Sequence, residues 1–172
     1  MFTLTKMSRE RAGGADTVVY IVRHAEKITG ENAGRDPALT DAGQNRALVL
    51  AEILRSKNIS HVYSSNYTRT RNTAAPTAKN AGVPVIIYDP RDLSALAMRI
   101  KQQAGRYLVV GHSNTIRETV QALGATITDL PVTEKSEYDR LYRVTLSQDG
   151  QTTMGLSRYG LRYVPDVESE PQ

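Results

Sequence analysis

Residues 18–22 read Val-Val-Tyr-Ile-Val, an unbroken apolar run that is β-branched or aromatic throughout. A run this short, flanked by polar residues, predicts a strand covered on both faces, at about 17–22. Residues 25–38 are polar and carry Gly30, Gly34 and Pro37, so they predict a loop over the strand end. The period then lengthens. Ala47, Leu48, Ala51, Ile53 and Leu54 recur at helical spacing behind Thr40, which predicts a helix over 41–56 with Thr40 as its N-cap. The same alternation continues as a strand at 59–64, a helix at 67–80 closed by Gly82, and a strand at 83–88. A helix at 93–104 follows, with Leu93, Leu96, Ala97 and Ile100 on one face, Asp92 as cap and Gly105 as stop. A strand at 107–110 runs into Gly111-His112-Ser113-Asn114, where Ser113 or Asn114 is expected to open a helix to about Leu123. Residues 124–136 predict a loop. Strands at 141–146 and 152–157, joined by Gln148-Asp149-Gly150, predict a hairpin.

Strand and helix alternating in this way predict a three-layer α/β/α sandwich, its central sheet mostly parallel and ending in an antiparallel hairpin. One domain is expected over 17–164. Residues 1–16 are expected to be a flexible arm, and 165–172 a flexible acidic tail.

Composition narrows the partners. The 172 residues hold 22 basic and 18 acidic side chains, a formal charge of +4. That mild, scattered excess suits a small anionic ligand better than a nucleic acid. With no cysteine, disulfides and thiolate metal sites are excluded. No apolar run approaches membrane-spanning length, so no membrane partner is expected. The N-terminal stretch lacks the apolar core of an export signal. A cytoplasmic location is expected, with an exported form whose signal has been removed left open.

Three predicted strand ends carry unusual groups: Arg23 and His24 on the first, Ser64 and Ser65 with Arg69 one turn on, and His112 on the fourth. In a parallel sheet these ends share one side, where α/β folds bind ligands. Two histidines and two arginines pooled there would be strongly cationic if the imidazoles protonate. A phosphoryl group offsets that repulsion, because guanidinium pairs with its oxygens in a fork. Ser113 and Asn114, at the start of a helix, are expected to add phosphate contacts. His61, within a strand and away from the rim, reads as structural. A zinc site built from the two histidines with Asp89 or Asp92 is the main rival, and the adjacent arginines oppose it. No dinucleotide fingerprint or P-loop is present.

Arg23-His24-Ala25-Glu26 resembles the Arg-His-Gly/Ala-Glu signature of the histidine phosphatase superfamily, the phosphoglycerate-mutase-like proteins. The stretch Asp36-Pro37-Ala38-Leu39-Thr40-Asp41-Ala42-Gly43 is similar to the family's "pLTxxG" element. Residues from Ser64 to Ala74 resemble its "SxxxRxxxTA" element, and Val109 to Asn114 its second histidine block. The resemblance spans about 17–147, and the short interval between Arg69 and His112 looks like the branch of small phosphatases, such as phosphohistidine phosphatases.

The resemblance implies a metal-independent phosphatase needing no cofactor. His24 would be the nucleophile, forming a covalent phosphohistidine. Arg23, Arg69 and His112 would hold the phosphoryl oxygens. A proton donor is expected after the third strand, where Asp89 is favoured and Asp92, equally explained as a helix cap, is the alternative. The substrate would be a phosphorylated small molecule or a phosphoprotein. A phosphoglycerate-mutase-like phosphotransferase and a phosphate-binding module without turnover are the rival readings.

Overall fold

Strand β1, Thr17–Arg23, is buried at every position and runs through the middle of the molecule. In this computed structural model, which describes residues 15–129 and 137–163, β1 is hydrogen-bonded on both sides. On one side lies β4, Arg106–Gly111, parallel to it. On the other lies β5, Arg140–Leu146, antiparallel. Beyond β4 come β2, His61–Ser65, and the edge strand β3, Val85–Tyr88, both parallel. Beyond β5 comes β6, Thr152–Arg158, antiparallel to it. The six strands therefore run β3-β2-β4-β1-β5-β6.

The alternation along β1 divides the core into two. Val19 and Ile21 join Leu93, Leu96, Ala97 and Ile100 of α3 (Leu93–Gln102) and Ile116 and Val120 of α4 (Ile116–Ala122). Val18, Tyr20 and Val22 join Leu50 and Leu54 of α1 (Asp41–Leu54) and Ala74 and Ala78 of α2 (Thr68–Ala81). Successive strand residues point to opposite faces, so a run with no polar interruption has to be roofed on both. The three-layer sandwich expected from the sequence is what forms, with its terminal hairpin antiparallel.

Local chemistry sets the boundaries. Thr40 caps α1 as expected, its hydroxyl accepting from the N–H of Gly43 at 3.1 Å. Gly82 ends α2 in the left-handed region at φ 67°, donating to the carbonyls of Ala78 and Lys79. Two expectations are corrected. Helix α3 stops at Gln102, with Gln103 already extended, so Gly105 does not end it. Helix α4 opens at Ile116, after Ser113 and Asn114. The Thr115 hydroxyl takes the N–H of His112 at 3.0 Å, which closes a separate turn before the helix begins. The expected arm at 1–16 and acidic tail at 165–172 fall almost wholly outside the described residues, as does part of the loop at 124–136. No described helix is long and apolar enough to cross a membrane.

Candidate active site

Register brings the chemistry together. Arg23 on β1 lies opposite Gly111 on β4, so the next residue of each strand, His24 and His112, stands at the same rim. Their ring centroids are 5.6 Å apart, inclined at 66°. Arg23 and Arg69 lie close enough to both rings to perturb their titration, so the four groups predicted to converge do so.

His24 is 4% exposed. Its Nδ1 lies 2.8 Å from the carbonyl oxygen of Ala25. An acceptor at Nδ1 draws the proton there and leaves the Nε2 lone pair free. The Ala25 N–H is in turn held at 2.9 Å by the hydroxyl of Thr73, which donates to the carbonyl of Arg69. Burial, opposed by the Ala25 hydrogen bond and assisted by Arg23, Arg69 and His112, brings the His24 pKa down to about 3. Burial, then Arg69 and Arg23, brings His112 to about 4. Near neutrality both imidazoles are neutral, and the positive charge of the cluster resides on the arginines.

A pH dependence of stability follows. Between about 6.5, the ordinary value, and these depressed values, the unfolded chain binds protons that the folded chain refuses. Stability therefore rises with pH across that window. The midpoint of thermal unfolding is expected to fall steadily from pH 6.5 to pH 4, and the fall to be reduced in a His24→Asn variant. Identical slopes in the two proteins would contradict the assigned cause.

Each arginine is backed by a tyrosine. The Arg23 guanidinium lies 4.2 Å over the Tyr138 ring and donates to the carbonyl of Glu137 at 2.8 Å. Arg69 lies 4.6 Å over Tyr67, with Asp36 at 3.7 Å. Tyr138 and Tyr67 also flank the imidazoles, at 6.0 Å from His24 and 5.0 Å from His112. The Nε atoms of Arg23 and Arg69 are buried donors with no hydrogen-bond partner among the described residues. Buried donors are ordinarily paired, and a pair of orphaned guanidinium donors around two neutral imidazoles fits an anion that brings several acceptors.

The other predicted residues have local partners of their own. Asp89 follows edge strand β3, three strand spacings from β1, or roughly 14 Å at the usual spacing. Its carboxylate takes both Nε and Nη2 of Arg91 at 3.0 Å, which together with the Arg91 N–H holds its pKa below the usual carboxylate range. The pair is exposed to solvent, and Arg91 lies near Tyr67, which borders His112. Asp92 caps α3 instead, accepting from the N–H of Ala95 at 3.0 Å. With both carboxylates so engaged, the pairing suggested for zinc does not assemble, and no metal-binding group of three or more side chains occurs among the described residues. Ser113 and Asn114 lie in the turn beyond His112, the first half-buried and the second exposed, without the helix N-terminus expected of them. His61 stacks on Tyr107 at 4.5 Å, a packing role as foreseen.

Some motif residues prove to be framework. Glu26 is gripped by Arg46, whose Nε and Nη2 reach its carboxylate at 2.8–2.9 Å while Nη1 and Nη2 hold the carbonyls of Tyr159 and Leu161. Gly43 lies so close beneath that a Cβ there would sit 2.1 Å from the Glu26 carbonyl oxygen, hence the glycine in that motif. Asp36 reaches across to accept from the N–H and hydroxyl of Thr68 at 2.9 and 2.7 Å, pinning the start of α2 beside Arg69.

The model of the histidine phosphatase superfamily (branch 1) matches residues 19–92, which contain Arg23, His24 and Arg69. Over that stretch the chain matches the histidine phosphatase superfamily. Among curated proteins, a probable phosphoglycerate mutase GpmB of Photorhabdus laumondii is 36% identical over 80 residues, covering 42% of this chain and 35% of that protein. The chain thus spans about a third of the length of the curated relatives it matches. Among solved structures, the protein histidine phosphatase SixA complexed with tungstate superposes with a TM-score of 0.65 at 20% identity, covering 83% of this chain and 97% of that one. Bacillus stearothermophilus YhfR superposes with a TM-score of 0.62 at 16% identity, covering 83% and 96%. These likenesses establish the fold that the chain shares with those structures.

Sequence reasoning missed Tyr138 and Glu137 at this site. The predicted hairpin held a usable signal. A strand that returns antiparallel beside β1 begins at the rim where β1 ends, so the residues just before it must border His24.

Proposed function

We propose that this chain is a metal-independent phosphatase, hydrolysing a phosphomonoester or phosphoramidate through a phosphohistidine on His24. The observation that carries the reading is the pairing of a neutral imidazole, its Nε2 left free, with two arginines whose buried Nε donors lack partners. In the first step the Nε2 lone pair attacks phosphorus, the Nε2–P bond forms, and the bond from phosphorus to the leaving atom breaks with its electron pair on that atom. Arg23 and Arg69 take the charge on the equatorial oxygens, joined by His112 once the phosphoryl group draws a proton onto its free ring nitrogen. In the second step water attacks the same phosphorus, the Nε2–P bond breaks, and the pair returns to the ring. The depressed His24 pKa keeps the nucleophile unprotonated throughout the neutral range.

Of the two carboxylates expected to protonate the leaving group, Asp89 is ion-paired with Arg91 and Asp92 caps its helix. That favours substrates whose leaving atom needs little help, phosphoramidates and acyl phosphates ahead of alkyl phosphates. The name of the curated relative supports a second reading, a phosphoglycerate-mutase-like phosphotransferase. Dependence of turnover on a bisphosphate primer would select it over hydrolysis. A phosphate-binding module without turnover would bind tungstate and release no phosphate from any substrate.

The test is chemical trapping. Rapid quenching with a ³²P-labelled phosphoramidate is expected to leave a base-stable, acid-labile label on the protein, and tungstate is expected to suppress it. A label stable in acid and lost in base would indicate a different nucleophile and end the proposal.

A further inference from the structure

Behind His112 the buried polar atoms form a line. Its Nε2 lies 2.8 Å from the hydroxyl of Ser65, the last residue of β2. That hydroxyl lies 3.0 Å from the hydroxyl of Thr70, which in turn lies 2.8 Å from the Ser65 carbonyl oxygen and 3.0 Å from that of Tyr67. Ser65 and Thr70 are both completely buried, so water does not share in these bonds.

Counting protons gives the line a direction. Thr70 has one hydroxyl proton, and both carbonyls can only accept. Were that proton turned toward Ser65, two oxygen–oxygen contacts of 2.8 and 3.0 Å would set lone pair against lone pair. Thr70 therefore donates to the carbonyls and accepts from Ser65. The single proton of Ser65 is then spent, and its contact with His112 needs a proton from the ring.

We infer that Ser65, backed by Thr70, holds His112 as the Nε2–H tautomer and leaves Nδ1 as the nitrogen that must take up a proton before it can donate to a bound phosphoryl oxygen. His24 is held the opposite way, with Nδ1–H on the Ala25 carbonyl and Nε2 free. Buried acceptors thus set the two rings in complementary tautomers, one presenting Nε2 and the other Nδ1. Ser65 and Thr70 are positioning residues that act through His112. What this does for phosphoryl binding rests on the phosphatase reading; the tautomer itself does not.

The full-length protein with ring-¹⁵N histidine, free of ligand at pH 7, is suited to long-range ¹H–¹⁵N correlation, because the chain has three histidines. His61→Gln and His24→Ala variants assign the His112 signals by elimination. The expected wild-type pattern for His112 is Nε2–H. Ser65→Ala and Thr70→Val are expected to convert it to a tautomer mixture, and Thr70→Ser, which keeps the hydroxyl, to restore it. Tungstate affinity is expected to fall about tenfold in Ser65→Ala and Thr70→Val and to recover in Thr70→Ser, because a ring protonated at Nδ1 by the bound anion loses the acceptor that stabilises its Nε2–H. If Ser65→Ala does not fold, the two Thr70 variants decide. A wild-type Nδ1–H pattern, or one unmoved by Thr70→Val, overturns the inference. An Nε2–H pattern in a protein that hydrolyses nothing upholds the inference and defeats the phosphatase reading alone.

Discussion

His24→Ala is expected to lower kcat by at least about 10³-fold and to eliminate the acid-labile phosphoenzyme, because it removes the nitrogen proposed to attack phosphorus. Arg23, Arg69 and His112 stay in place, so tungstate binding should weaken only modestly. The fold should survive as well. The wild-type ring lies buried with its pKa depressed to about 3, and removing it relieves the folded state of that burden in acid. Rapid-quench labelling beside steady-state kinetics makes the check. An alanine variant that still carries label would transfer the nucleophile's role elsewhere.

Glu137→Ala is expected to cost on the order of 3–5 kcal/mol, the usual result of breaking a buried ion pair. The Glu137 carboxylate lies between two guanidiniums, Arg140 Nε at 2.6 Å and Arg158 Nη1 at 2.8 Å, with its side chain 5% exposed. Arg140 extends the network to Asp129 at 2.8 Å, and Arg158 to Asp139 at 2.6 Å. For a chain of this size the loss corresponds to a fall of roughly 10 °C in Tm. The same residue offers its backbone carbonyl to Arg23, and its neighbour Tyr138 lies against both Arg23 and His24. The variant should therefore bind substrate more weakly as well, with KM raised more than kcat is lowered. Thermal unfolding with kinetics tests both halves. An unchanged Tm would show that the network adds no stability.

The fold was legible because its signals are local. Apolar Val18–Val22 could only be a strand covered on both sides, Thr40 and Asp92 stood where caps belong, and Gly82 where a helix must turn left-handed. The start of α4 was misplaced by two or three residues because a side-chain hydroxyl, that of Thr115, competes for the first N–H of the turn. The site was half legible. Arg23, His24, Arg69 and His112 follow from strand ends meeting on one side of a parallel sheet. Tyr138 and Glu137 enter from the antiparallel return, 114 residues along the chain from Arg23, where no spacing links them to it.

By itself, then, the sequence determined the layers of this protein and the four groups at the sheet's rim, since periodicity and strand polarity depend on neighbours along the chain. Tertiary structure alone decided their chemical states. It placed a carbonyl against one nitrogen of His24, desolvated both imidazoles so that they stay neutral well below neutral pH, and paired Asp89 with Arg91. Protonation depends on what surrounds a group in space, and those surroundings exist only once the strands have paired.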